Sequence, residues 1–456
     1  MSTSATAPPR PRTVLVGVQL PGVSEGELQS SLDELARLAK TLGLDIVARV
    51  TQRRDRLAPA AVVGEGKLKE LAALTGGSGV VPVGPPSKQR EDEAARAEAA
   101  EAAAGETPAT PDAPRATVVV VDHELSPSQA RNLERATGAE VLDRSAVILA
   151  IFQRHARSRE ARLQVEIARL SYVAPRLRET GGRDRQGGGI GGRGVGESHL
   201  ELDRRKLRDR IAELREELVA IEREAGTRRR RRGEFGTAAL VGYTNAGKSS
   251  WMRALTGSGV LVQDKLFATL DTTIRALAPE TTPRILISDT VGFIKKLPHD
   301  LVASFRSTLD EARDADLLVQ VADAADPAFP AQIEVTREVL ASLGAAESPH
   351  LLVLNKADRL DPTAREQLAH DWPDALLLSS RDPADIAALR ERITAFFERD
   401  MVEEELVVPY AQQRVVAEAH ATTHVLAESH DEHGTRLRLR AAPETLARLR
   451  ALLEKR

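Results

Sequence analysis

The sequence predicts a multidomain α/β protein, and three observations predict it. Short β-type runs alternate with helical stretches over residues 13–141 and again from Thr237 onward, as in stacked strand–helix units. Between these regions, apolar residues recur at heptad steps on two long helices joined by a link dense in Gly and Arg. A glycine loop then follows a strand and opens a helix at Gly242. With 456 residues, the chain has length for about three typical domains.

The first part, 1–155, reads as a small α/β domain. Thr13–Val18 and Leu44–Thr51 are apolar enough for strands, and Leu32, Leu35 and Leu38 place an apolar stripe on a helix over 26–43. A third strand at Thr117–Val121, a helix over Ser126–Thr137 and a short strand at Glu140–Val141 follow. Residues 76–114 turn to Ala, Glu, Gly and Pro without periodicity, which predicts a flexible insertion. In the second part, 156–234, Leu163, Ile167, Leu170, Ala174 and Leu177 face Leu207, Ile211, Leu214, Leu218 and Ile221 as two seams of an antiparallel hairpin. Pro175 should end or kink the first helix, and Gly226 should end the second before the run Arg228–Arg232. The third part, 235–399, carries strands at Thr237–Val241, Arg284–Ser288, Leu317–Val321 and Leu351–Leu354, expected to form a mostly parallel sheet. The last, 400–456, offers a helix near 414–426, a strand at Thr435–Arg440 and a closing helix.

Composition excludes several function classes. Without cysteine there is no disulfide, thiolate zinc site or thiol catalysis. No apolar run approaches the roughly 18 residues of a membrane span, and the N-terminus lacks a signal-peptide core, so a cytoplasmic protein is expected. The net charge of −3 is an average: residues 156–232 hold 21 Lys+Arg and 13 Asp+Glu, a net of +8, which leaves −11 elsewhere. His420 and His424 stand one helical turn apart with His430 and His433 nearby, but no acidic or thiol ligand set joins them in sequence, so they read as solvated or packed.

The chemistry lies at 242–358. Gly242-Tyr243-Thr244-Asn245-Ala246-Gly247-Lys248-Ser249 is the phosphate loop G-x-x-x-x-G-K-[ST] in its strand-to-helix context. Its backbone N–H groups can turn toward phosphates, Lys248 can meet the β- and γ-phosphates, and Ser249 can ligate Mg²⁺. Asp289-Thr290-Val291-Gly292 follows at a strand end, where Asp289 can hold a Mg²⁺-bound water and the Gly292 N–H can sense a γ-phosphate. Asn355-Lys356-Ala357-Asp358 follows its own strand. A carboxylate at Asp358 can accept both N1–H and the exocyclic amine of guanine, a donor pair adenine lacks. Three such motifs in order predict a GTPase. Arg183, Arg185, Arg193, Arg204, Arg205, Lys206 and Arg208 gather at the hairpin tip, able to neutralise RNA phosphates, and Arg228–Arg232 lie at its base. Gly189-Ile190-Gly191-Gly192-Arg193-Gly194 matches G-x-G-x-x-G but follows no strand, so it does not read as a dinucleotide site.

These motifs resemble those of the GTPase superfamily, and the resemblance implies two further parts. Lys265-Leu266-Phe267-Ala268-Thr269-Leu270-Asp271 stands where switch I belongs, with Thr269 the foremost candidate for the second hydroxyl on Mg²⁺ and Thr272 and Thr273 as competitors. Ser379-Ser380-Arg381 is similar to a divergent form of the loop that contacts the guanine oxygen. Phe293 occupies the position where many signalling GTPases place a water-orienting glutamine, so intrinsic hydrolysis should be slow unless the residue simply packs into the core. Asn245 resembles the asparagine with which some GTPases hold a catalytic K⁺.

Outside the site, Val50–Arg56, Val63–Lys67, Gly188–Arg205, Leu266–Asp271, Asp289–Phe305 and Val408-Pro409-Tyr410 resemble the HflX family of translational GTPases. Val195 and Ser198 depart from its pattern, standing where proline and threonine are usual. The resemblance implies a Mg²⁺-dependent GTPase that binds the large ribosomal subunit and 23S rRNA and splits stalled or idle 70S ribosomes, with its Gly/Arg loop 181–196 directed toward the peptidyl-transferase centre. A monomer that binds no DNA and is not integral to a membrane is expected. A GTP-gated ribosome-assembly factor, a GTP-switched regulatory binding protein and an antibiotic-protection role are the rival readings.

Overall fold

In a computed structural model of the protein, the described residues are 10–81, 115–177, 199–232, 235–257, 266–267, 273–282, 284–295 and 306–454. The chain divides into two compact units, residues 1–151 and 152–456.

The first unit is built on a four-stranded parallel sheet in the order β2-β1-β3-β4, formed by β1 (Arg12–Gln19), β2 (Asp45–Arg53), β3 (Val118–Val121) and β4 (Glu140–Asp143). All four residues of β3 are buried, as a parallel strand covered on both faces requires. Helix α1 (Glu25–Thr41) starts at a capping box in which Ser24 and Glu27 satisfy each other's backbone N–H groups. Its Leu28, Leu32, Leu35 and Leu38 are buried. Helix α2 (Glu65–Thr75), with Leu68 and Leu71 buried, is not foreseen by the sequence reading. The helix after β3 is α3 (Pro127–Thr137). The short strand expected at Glu140–Val141 extends to Asp143 and runs without a loop into α4 (Arg144–His155), also unforeseen. Arg144 is buried but paired with two carboxylates: it donates to Asp122 at 2.7 Å and pairs with Glu34, while the Ser31 hydroxyl donates to Asp122 at 2.6 Å. Of the expected insertion 76–114, Gly76–Val81 are described and the rest lies outside the described residues.

In the second unit, α5 (Arg159–Val173) and α6 (His199–Arg232) pack along the two predicted seams, burying Leu163, Ile167, Ile211 and Leu214 with Leu170, Leu218 and Ile221 partly covered. The ion pairs Arg159–Glu217 and Arg210–Glu166 show an antiparallel register, the numbers rising on one helix as they fall on the other. Helix α5 ends at Val173, and a 3₁₀ turn at Ala174–Arg176 takes in Pro175, so Ala174 and Leu177 lie beyond the regular seam. Gly226 does not end α6, which continues through Arg232. One helical glycine costs only about 1 kcal/mol relative to Ala, which good helix formers such as Arg on either side offset. The loop 181–196, with Arg183, Arg185, Arg193, Val195 and the G-x-G-x-x-G match, lies outside the described residues, as does Ser198.

A six-stranded sheet follows in the order β10-β9-β8-β5-β7-β6. Its strands are β5 (Gly236–Gly242), β6 (Thr273–Ala276), β7 (Ile285–Asp289), β8 (Leu317–Asp323), β9 (His350–Asn355) and β10 (Leu376–Leu377). All neighbours are parallel except the edge pair β6–β7. Helices α7 (Lys248–Thr256), α8 (Arg306–Arg313), α9 (Phe329–Ser342), α10 (Pro362–Asp371) and α11 (Pro383–Glu398) connect them. Trp251, Met252 and Leu255 of α7 are fully buried against this sheet's core, which anchors the helix that opens the phosphate loop.

The C-terminal segment adds an antiparallel sheet in the order β11-β13-β12, made of β11 (Val402–Val408), β12 (His424–Asp431) and β13 (Gly434–Ala441), with α12 (Gln413–Thr422) and α13 (Pro443–Glu454). The expected helix near 414–426 therefore stops at Thr422, and β11 and β12 are additions to the sequence reading. Five of the eight residues of β12 are exposed, so it lacks a buried apolar run to betray it. His420 pairs with Glu428 at 2.9 Å, and among the described residues no group of three or more His, Cys, Asp or Glu could hold a metal. Nor is any described helix long and apolar enough to cross a membrane.

Candidate nucleotide site

The loop between β5 and α7 is shaped by its glycines and by what is packed beneath it. Gly247 has φ +104, and a Cβ there would lie 2.1 Å from the Asn355 amide nitrogen, so a side chain is excluded twice over. Lys248 is buried, donating to the carbonyls of Gly242 and Tyr243, each at 3.0 Å. Burial lowers its pKa to about 8, opposed only by nearby Asp289. The ammonium therefore sits against the backbone of the loop, with little solvent to stabilise it.

Asp289 ends β7 beside the loop, and the Ser249 hydroxyl donates to its carboxylate at 2.7 Å. A hydroxyl and a carboxylate oxygen converging at a helix N-terminus form a hard-oxygen set suited to Mg²⁺. The segment after Asp289 is stitched to the phosphate loop by backbone bonds: Phe293 N–H donates to the Gly242 carbonyl at 3.1 Å and Thr244 N–H to the Phe293 carbonyl at 2.7 Å. Thr290 donates to the Leu240 carbonyl at 2.8 Å, and Lys295 N–H to the Tyr243 hydroxyl at 2.7 Å. Gly292 lies so close that a Cβ would be 2.6 Å from Thr244 Cα. Val291 is buried. The ring of Phe293 points into the core against residues such as Val241, Ala312 and Leu340, 1% exposed. The packing alternative is thus the one the structure adopts, and nothing in this side chain can orient water.

The motifs expected to read the base are braced by polar side chains. Asn355, 1% exposed, donates to the Ala246 carbonyl at 2.8 Å and accepts from Ser380 N–H at 3.2 Å, tying the phosphate loop to the 379–381 loop. Lys356, in a left-handed conformation at φ +65, donates to the Asn245 carbonyl at 3.0 Å and pairs with Asp323 at 2.6 Å. Ala357 is buried beneath this turn. The Ser379 hydroxyl donates to Asp358 at 2.7 Å, and Ser379 N–H donates to Asp385 at 2.8 Å. Arg381 approaches the other Asp358 oxygen at 3.7 Å. The Ser379 hydrogen bond, with Arg381 adding to it, holds the Asp358 carboxyl below the ordinary carboxylate range, so it is ionised at neutral pH. Ordinary sequence reading missed Asp323 and Asp385; each sits at an element end, with only its position after a strand or inside a helix start as a signal.

Four matches bear on kinship. A family model described as GTP-binding GTPase N-terminal matches residues 29–83 and 70–153. One described as GTP-binding GTPase Middle Region matches 155–232, and one described as 50S ribosome-binding GTPase matches 237–356. GTPase HflX of Gluconacetobacter diazotrophicus is 58% identical over 453 residues, covering 99% of this chain and 100% of that protein. The chain belongs to the HflX family of GTPases.

Other members agree: GTPase HflX of Caldanaerobacter subterraneus is 37% identical over 96% of this chain and 93% of its own length, and that of Escherichia coli 39% identical over 84% and 83%. Among solved structures, a GTP-binding protein of Sulfolobus solfataricus in complex with GDP is 21% identical, covering 84% of this chain and 97% of that one with a TM-score of 0.41. As an HflX-family GTPase, this protein binds and hydrolyses GTP. Of its expected switch I residues, Leu266 and Phe267 are described; Lys265, Ala268, Thr269, Leu270 and Asp271 lie outside the described residues, as does Thr272. Thr273 is placed in β6, paired with Asp289 across the edge of the sheet. On the hairpin, Arg204, Arg205, Lys206 and Arg208 are exposed on the first turns of α6.

Proposed function

We propose that this protein is a ribosome-stimulated GTPase that binds the large ribosomal subunit through rRNA and splits or rescues stalled or idle 70S ribosomes. The observation that carries the proposal is the basic hairpin joined directly to a GTP site. Its antiparallel register brings the exposed cations of early α6 to the end where the chain passes from α5 to α6. Four arginines and lysines on consecutive turns can displace counterions from an RNA backbone. The description of the matching family model as a 50S ribosome-binding GTPase supports the choice of RNA.

In this reading the parts are an α/β domain at 1–155, a hairpin at 156–234, a GTPase domain at 235–399 and a C-terminal domain at 400–456. Lys248 contacts the β- and γ-phosphates, Ser249 and Thr269 ligate Mg²⁺, and Asp289 holds one of its waters. Bound there, Mg²⁺ would supply charge neutralisation across the phosphates, and Asn245 is the candidate for holding a K⁺ beside them. The Gly292 N–H reports the γ-phosphate, and Asp358 selects guanine. Because Phe293 is committed to the core, water must be oriented by something other than residue 293, which suits stimulation by the ribosome. The protein acts as a monomer in the cytoplasm.

The test mixes the purified protein with 70S ribosomes and GTP or a non-hydrolysable analogue, following subunit separation by light scattering together with phosphate release. Splitting with both nucleotides and turnover raised by ribosomes are expected. Binding to free large subunits without any splitting would favour the assembly-factor reading, and neither binding nor stimulated turnover would reject the ribosome altogether. Deleting residues 181–196 should abolish splitting while leaving nucleotide affinity unchanged.

A further inference from the structure

Phe267 occupies a costly position. Its φ is +57, a left-handed conformation that bulky side chains rarely adopt, and such residues persist only where their surroundings over-determine them. Two contacts do so here. The Phe267 N–H donates to the Thr244 hydroxyl at 3.0 Å, fixing the backbone to the phosphate loop. Its ring, 2% exposed, meets the ring of Phe152 edge-to-face with centroids 4.6 Å apart and planes at 76°, a favourable aromatic geometry. Phe152 is itself 1% exposed and lies in the last turn of α4. Its carbonyl accepts from Ala156 N–H at 2.9 Å, and Ser158 then caps α5 through the N–H of Ala161. The aromatic pair therefore joins the switch I segment, two residues before Thr269, to the stretch that leads directly into the basic hairpin.

We propose that Phe152 is a positioning residue for switch I: by clamping Phe267 beside the phosphate loop it couples γ-phosphate binding to the hairpin. This rests on the assignment of residues 265–271 to switch I made above. Phe152 contacts no nucleotide in this scheme; it acts through Phe267. Coupling of this kind is reciprocal, so whatever shifts the hairpin's root on RNA should alter the preference for GTP over GDP by the same factor.

The experiment uses the full-length protein with Phe152→Ala, Phe152→Leu and Thr269→Ala, measuring affinities for fluorescent GDP and for a fluorescent non-hydrolysable GTP analogue in Mg²⁺. Phe152→Ala should weaken the analogue about tenfold, the equivalent of about 1.4 kcal/mol, while leaving GDP within about twofold. Phe152→Leu, which keeps apolar volume but not the ring edge, should fall between. In parallel, the excess of large-subunit binding with the analogue over GDP should shrink in both variants. Equal weakening of GDP and analogue, or no change in either, overturns the proposal and leaves Phe152 a core residue. If Thr269→Ala has no effect while the Phe152 variants are selective for the analogue, the clamp stands and the hydroxyl assignment falls. If Thr269→Ala is selective and the Phe152 variants are not, the clamp falls alone.

Discussion

On the base side of the site, Asn355, Lys356, Asp358 and Ser379 are held by polar side-chain bonds of 2.6–3.2 Å; on the phosphate side, Leu266, Phe267, Phe293 and Ile294 are held by burial, each 4% exposed or less. The two materials suit different tasks. Hydrogen bonds are directional, and a carboxylate already oriented by Ser379 can discriminate one base from another without rearranging. Apolar packing is non-directional and roughly proportional to area, so it can add to the backbone hydrogen bonds that tie these segments to the phosphate loop while bringing no further polar side chain into the site. Substitutions on the base side should therefore change which nucleotide binds. Those on the phosphate side should change stability or what happens to the γ-phosphate.

The largest expected effect breaks the base side. Asp358→Asn removes the acceptor for both guanine donors and should cost about a thousandfold in GTP affinity, with xanthine nucleotides gaining; unchanged GTP binding by titration calorimetry would show that another residue reads the base. Next, Phe293→Gln tests whether the phosphate side is packing or chemistry. Burying an amide in place of a ring should lower stability by about 3 kcal/mol in urea unfolding, without raising intrinsic turnover. A faster variant of native stability would mean that residue 293 can face the γ-phosphate after all.

A smaller effect follows from Lys248. Its pKa in the free protein is lowered to about 8 by burial, and phosphates must raise it on binding, so the complex takes up a proton above that pH. Affinity for GDP should hold steady below pH 8 and fall by about tenfold between pH 7 and 9. A flat profile over that range would show that the ammonium keeps its proton unaided. The smallest is Ser379→Ala, which removes one hydrogen bond to Asp358 and should weaken GTP by about 1 kcal/mol, near fivefold; the base side is less dependent on that brace if equilibrium titration shows no change.

Much of the second unit was legible in the chain. The heptad steps of Leu163, Ile167, Ile211 and Leu214 are local in sequence and reappear as a buried seam. Strands β5, β7, β8 and β9 each carry an apolar run that parallel, two-face burial demands. Less was legible where burial is one-sided or the elements are short. Strand β12 alternates weakly because much of it is exposed, β6 has four residues, and α4 follows β4 with no turn residue to announce it.

By itself the sequence determined which motifs are present: a phosphate loop, the carboxylate that closes Asn355–Asp358 and a strongly basic hairpin, because those properties reside in residue types at fixed spacing. Tertiary structure alone decided what Phe293 and Phe267 do. An aromatic side chain within or beside a nucleotide motif can face a nucleotide or a core, and nothing in its neighbours' identities chooses between them. Packing against Val241 and Leu340 in one case, and against Phe152, distant in sequence, in the other, makes that choice, since burial depends on which surfaces the fold brings together.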